Sequence, residues 1–180
     1  MSTASNDVLM WTNQDPRESL LFNTWGIIYR FQTVVSASGQ SVTTCYRVLR
    51  PNKEDRVAIL EWAANGGLGR VIMGKNTLRM ADLVRTDPRI HGSRVFIAPD
   101  GLQYRWRPSS NNTDIVLQDS NGVIVAFFRP TRQTPYQIGD VYGELHFLRS
   151  AGSGTVTHPP IMDMVTVTMM LYRFCAAWGL

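Results

Sequence analysis

Lysine is almost missing from this chain. Of its 18 basic residues only Lys53 and Lys75 are lysines, and the arginines are scattered from Arg17 to Arg173 with no dense run, which excludes a polybasic tail. Cysteine is scarce too. Cys45 and Cys175 stand far apart, so there is no disulfide framework and no thiolate metal spacing, and both read as buried thiols. Histidine occurs at His91, His146 and His158 without an i, i+4 pair, which leaves no metal site and no cofactor to expect. Met1 to Met10 holds no basic stretch followed by an apolar run, so the reading expects a cytoplasmic protein, at most peripheral to a membrane.

Catalytic signatures are also missing. Gly152-Ser153-Gly154 sits in a Gly/Ser-rich hinge rather than at a strand-to-helix elbow. Gly69 to Asn76 has phosphate-loop spacing, but Asn76 replaces the Ser or Thr that would hold magnesium. Val71, Ile72 and Met73 are strand formers, so the segment reads as a strand ending at a glycine turn. Glu54-Asp55 falls in a turn, and Cys45 meets a histidine only if the fold brings one to it. No catalytic residue is assigned and the chain is read as a non-enzyme.

What is there is one domain's worth of apolar side chain, 44% of 180 residues. Residues 1–19 are expected to be poorly ordered or weakly attached, and 20–180 to form a single domain. From Leu20 to Leu148 short β-type runs alternate with turns, the pattern of a barrel or sandwich. Trp25 to Val35 and Val42 to Leu49 read as a hairpin. Arg94 to Ala98 and Leu102 to Arg107 flank the turn Pro99-Asp100-Gly101, with Leu102, Tyr104 and Trp106 on one face and Arg105 and Arg107 on the other. Asp114 to Gln118 and Val123 to Phe128 make a further hairpin, and Glu144 to Leu148 is the last strand.

After the hinge at 150–154, Thr157 is expected to cap a helix at about 160–178. Ile161 to Trp178 is apolar nearly all round and must lie in protein or in lipid. Asp163, Arg173 and a length slightly short of a span favour a helix buried in the β core; a C-terminal tail anchor is the alternative.

The arginine face of the Leu102 to Arg107 strand supplies Arg105 and Arg107, and Arg129 and Arg132 follow the next hairpin. These four are the candidates for contact with anionic lipid headgroups. Alternation turns Tyr104 and Trp106 away from the arginines, so no nucleic-acid partner is expected.

Many short strands followed by an apolar C-terminal helix resemble the tubby C-terminal-like superfamily, with its LURP-one-related and phospholipid scramblase-like members. More narrowly, Ala98-Pro99-Asp100-Gly101 with Tyr104-Arg105-Trp106, Val125-Ala126-Phe127-Phe128, Leu145-His146-Phe147, and Asp163 with Val165, Val167 and Thr168 resemble a domain of unknown function common in mushroom-forming fungi. The resemblance implies a closed or nearly closed antiparallel β-barrel around a hydrophobic C-terminal helix. The expected role is a binding module for an anionic phospholipid or a protein partner at a membrane surface. An enzyme of unrecognised type with a barrel-end pocket is the alternative.

Overall fold

The computed structural model of the chain describes residues 6–149, 151 and 155–180, so the expected hinge lies, apart from Ala151, outside the described residues. In chain order the strands are β1 (Asp7–Thr12), β2 (Ser19–Asn23), β3 (Gly26–Val35), β4 (Ser41–Arg50), β5 (Lys53–Glu61), β6 (Arg70–Met73) and β7 (Asn76–Arg79). The short helix α1 (Met80–Leu83) follows. Then come β8 (Arg85–Thr86), β9 (Arg94–Ile97), β10 (Gln103–Pro108), β11 (Ile115–Gln118), β12 (Ile124–Pro135) and β13 (Asp140–Phe147), a 3-10 turn at Thr155–Thr157, and α2 (Pro159–Trp178).

All thirteen strands belong to one antiparallel sheet of order β7-β6-β5-β4-β3-β2-β1-β13-β12-β11-β10-β9-β8. The sheet is open, which corrects the expectation of a closed barrel. Closure would need β7 hydrogen-bonded to β8, but the residues joining them form α1, whose Met80 and Leu83 are buried. Of the expected N-terminal segment 1–19, residues 1–5 lie outside the described residues. β1 lies mid-sheet between β2 and β13, with Leu9 and Trp11 essentially without solvent contact, so the segment from Asp7 on is part of the core.

The sheet gathers around α2. Trp106 Nε1 donates to Thr168 Oγ1 at 2.9 Å, Tyr29 and Arg47 both reach Asp163, and the rings of Trp62 and Phe174 lie 4.3 Å apart. These anchors come from both halves of the sheet, and the helix side chains between Ile161 and Cys175 are nearly all buried. Each large apolar side chain taken out of water contributes roughly 1.5–3 kcal/mol, so α2 is the hydrophobic centre. Thr166 and Thr168 are tolerated there because their hydroxyls donate to the carbonyls of Met162 and Met164. α2 is long and apolar enough to cross a membrane, and 67% of its apolar window is buried inside the structure.

The helix does not start as expected. Thr157 belongs to the 3-10 turn, His158 is the N-cap residue without a side-chain cap bond, and prolines fill the first turn.

Register sorts the turns into two mouths. Tyr29, near the start of β3, meets Asp163 early in α2, whereas Trp62, just after β5, meets Phe174 late in it. The β2–β3, β4–β5, β6–β7, β9–β10 and β11–β12 turns therefore lie at the mouth nearer the helix N-terminus. The β1–β2, β3–β4 and β12–β13 turns lie at the other.

Candidate functional site

The four arginines singled out by sequence are not gathered into a cationic patch. Arg129 donates through Nε and Nη2 to both oxygens of Asp114 at 3.1 and 2.8 Å. Arg105 Nη2 lies 2.7 Å from Asp87 Oδ2, and Arg107 Nε donates to Gln118 Oε1 at 2.9 Å. Arg132 alone is exposed without a side-chain partner among the described residues, in the irregular stretch of β12. Alternation set the face of Arg105 and Arg107, but the acceptors opposite come from other strands and loops.

Two titratable clusters bear on the enzyme alternative. Cys45 is fully buried in the core near Tyr29 and Asp163, where burial pushes its thiol well up. Burial also raises the Asp163 carboxyl and the Tyr29 phenol, and Tyr29 donates to Asp163 at 2.6 Å. The other cluster is a cavity of about 400 Å³ between the β8–β9 connection and α2, lined by Asp87, His91, Arg94, Tyr172 and Cys175. Its polar groups are already engaged. Both oxygens of Asp87 accept from arginines, Arg94 donates to the carbonyls of Val84 and Leu180, and Tyr172 donates to Gly92. Burial raises the Cys175 thiol pKa, and no hydrogen bond joins His91 to it or to Asp87 among the described residues.

The mouth at the helix N-terminus has a different character. The β2–β3 turn is fixed by Asn23, whose Oδ1 accepts from the Trp25 backbone N–H at 2.8 Å, and by Gly26 at φ 119°, a conformation other residues avoid. This turn holds Trp25 outward, 91% exposed. The indole forms the shared wall of two clefts. One, of about 490 Å³, runs over Val8, Met10, Phe22 and Tyr136; the other, of about 480 Å³, runs over Ile27, Val48, Leu49 and Pro51. Scattered apolar residues on a surface need no explanation, but an exposed tryptophan between two apolar clefts is a contiguous patch.

The charges around Trp25 are unequal. Arg50 and Lys53 stand on the β4–β5 turn and Lys75 on the β6–β7 turn, all exposed and without a side-chain acceptor among the described residues. The acids of this half are matched elsewhere: Glu54 to Arg30, Asp55 to Arg47 and Asp7 to Arg149. Asp100 and Asp119 on the β9–β10 and β11–β12 turns accept from backbone N–H groups of their own turns. Both lysines of the chain thus lie on the side of the mouth that carries Trp25. Sequence reasoning put these residues in turns or at strand starts and attached no role to them; the readable signal was an aromatic inside Asn23-Thr24-Trp25-Gly26.

A family model matches residues 14–173, and its description is a family of unknown function, DUF6593. No curated protein matches the chain, and no solved structure does.

Proposed function

We propose that this chain, which belongs to the DUF6593 family of unknown function, is a non-enzymatic module that docks on an anionic phospholipid surface through the Trp25 rim. The observation that carries the reading is the indole, 91% exposed between two apolar clefts, one of them also lined by the unpaired Arg50, with the unpaired Lys53 and Lys75 on the β4–β5 and β6–β7 turns of the same mouth. Tryptophan partitions to the headgroup level of a bilayer, where its apolar body and N–H are both satisfied. Each cation near an anionic leaflet adds about 1 kcal/mol at physiological salt. Three cations and one indole give reversible, salt-sensitive attachment from the cytoplasmic side, with α2 remaining inside its sheet. Enclosure of an apolar helix by short strands supports kinship with the tubby C-terminal-like superfamily, although the sheet is open.

Flotation with vesicles containing phosphatidylserine tests the reading. Wild type should float at low salt and be released as salt rises, and Trp25→Ser or the combined Arg50→Gln, Lys53→Gln, Lys75→Gln variant should stay in the soluble fraction. Flotation unaffected by those changes but abolished by neutralising Arg105, Arg107, Arg129 and Arg132 would return the site to the outer face of the sheet. No flotation at any salt would remove lipid from the account.

A further inference from the structure

Arg173 projects from the late turns of α2 into surroundings that leave it incompletely hydrogen-bonded. Its guanidinium carbon lies 5.0 Å from the ring centre of Trp11 and 4.7 Å from that of Phe128. Both rings favour the nearby charge, but the N–H donors of a guanidinium lie in its plane and need acceptors there. Nη1 is sealed from solvent with no partner, and burial pushes the Arg173 pKa down to about 10. A buried donor left unmade is costly, so an acceptor is wanted at this point.

A second guanidinium occupies the same mouth. Arg17, on the β1–β2 turn, lies 4.9 Å from the ring of Phe174, the residue after Arg173, and within 6 Å of the rings of Trp62 and Trp178. Its Nε and Nη2 donate to Asp15 at 3.1 and 2.9 Å. The Asp15 charge acts on Arg173 as well. The Asp15 carboxylate is thus hydrogen-bonded to Arg17 alone among the described residues, through the side chain and the backbone N–H, and lies within electrostatic reach of Arg173; it sits on a turn with its side chain 46% exposed.

We infer that Arg173 and Arg17 form an oxyanion-binding site at the mouth beside the C-terminal half of α2, taking a phosphate or carboxylate group. Asp15 occupies part of that site when no ligand is bound. The planar fork of a guanidinium matches the two oxygens of such a group, and the surrounding rings exclude competing water. The site lies at the opposite mouth from Trp25, so each can fail without the other.

Thermal unfolding of the full chain in inorganic phosphate, against sodium chloride at equal ionic strength, tests the inference. Wild type should gain about 3 °C or more at saturating phosphate. Asp15→Asn, which removes the competing charge, should reach the same gain at roughly tenfold lower phosphate. Arg173→Met should lose the phosphate response; should that variant not fold, the Asp15→Asn titration stands alone. Vesicles bearing phosphatidic acid separate the sources: flotation that depends on Arg173 assigns the site to a lipid phosphate, and a phosphate response without it to a soluble anion. Equal melting in phosphate and chloride for both wild type and Asp15→Asn overturns the inference, as does a response that survives Arg173→Met.

Discussion

Tyr29 donates its phenolic hydrogen to Oδ1 of Asp163 across 2.6 Å, joining residues 134 positions apart. Arg47 Nη1 meets the other oxygen at 2.5 Å, so the only acid on α2 is held by two neighbouring strands. Removing the carboxylate leaves the Arg47 guanidinium with only the longer contact to Asp55 and a buried hydroxyl unanswered. Asp163→Ala should therefore destabilise the fold by about 2–4 kcal/mol, whereas Tyr29→Phe, which removes one neutral donor, should cost about 1 kcal/mol. Urea denaturation of both variants and their double mutant gives the coupling.

Acid should weaken the protein through a different set of groups. The Asp114 carboxyl is held below its usual value by hydrogen bonds from Arg129, and Glu54 by those from Arg30. The unfolded chain takes up these protons first, so their contribution is complete above the ordinary carboxylate pKa and is lost as pH falls through the depressed folded values. Asp163 has the opposite sign. Burial raises its pKa, so between the ordinary and the raised value stability falls as pH rises. Denaturation midpoints from pH 6 to pH 2 should show a flattened acid limb in Asp114→Asn compared with wild type.

Gly143 lies where β13 passes Phe128. A Cβ there would stand 2.3 Å from Phe128 Cζ and 3.3 Å from the Arg129 carbonyl. Gly143→Ala should cost about 1–3 kcal/mol through overpacking, read as a lowered melting temperature. The effect arises from space, since this glycine is not among those of positive φ.

Truncation before Pro159 removes the hydrophobic centre. The remaining strands would expose their inward faces, among them Tyr29, Trp62 and Trp106, and should not fold cooperatively. Far-ultraviolet dichroism with a thermal ramp checks this; a truncated chain that melts as a cooperative β protein would show that α2 is an accessory.

The hairpins were legible where turn chemistry is local. Pro99-Asp100-Gly101 marked the β9–β10 turn, and Gly101 takes the φ of 80° such a turn needs. The buried apolar helix was legible from its composition. β1 was not, because six residues of mixed polarity gain most of their pairing from β13, about 130 to 140 residues along the chain. β12 was read short because Arg129-Pro130 resembles a strand end; the strand continues past a register shift that accommodates the proline. Met80–Leu83 falls within the Leu20 to Leu148 stretch expected to hold short β-type runs and turns, yet it is α1, the segment that leaves the sheet open. For the candidate site, alternation told which way each arginine points, but whether a carboxylate waits opposite is tertiary information. Arg129 is occupied by Asp114, 15 residues away, while Arg50 and Lys53 are left unpaired because the acids that follow them, Glu54 and Asp55, are held by Arg30 and Arg47.

The most direct test of the Trp25 rim is quenching of tryptophan emission by anionic vesicles with brominated acyl chains. Trp11, Trp62 and Trp106 are buried, and the exposed Trp25 and Trp178 mark opposite mouths. The account predicts quenching in wild type and in Trp178→Phe, and its loss in Trp25→Phe. Quenching that survives Trp25→Phe and disappears with Trp178→Phe would place the other mouth on the membrane and contradict the account.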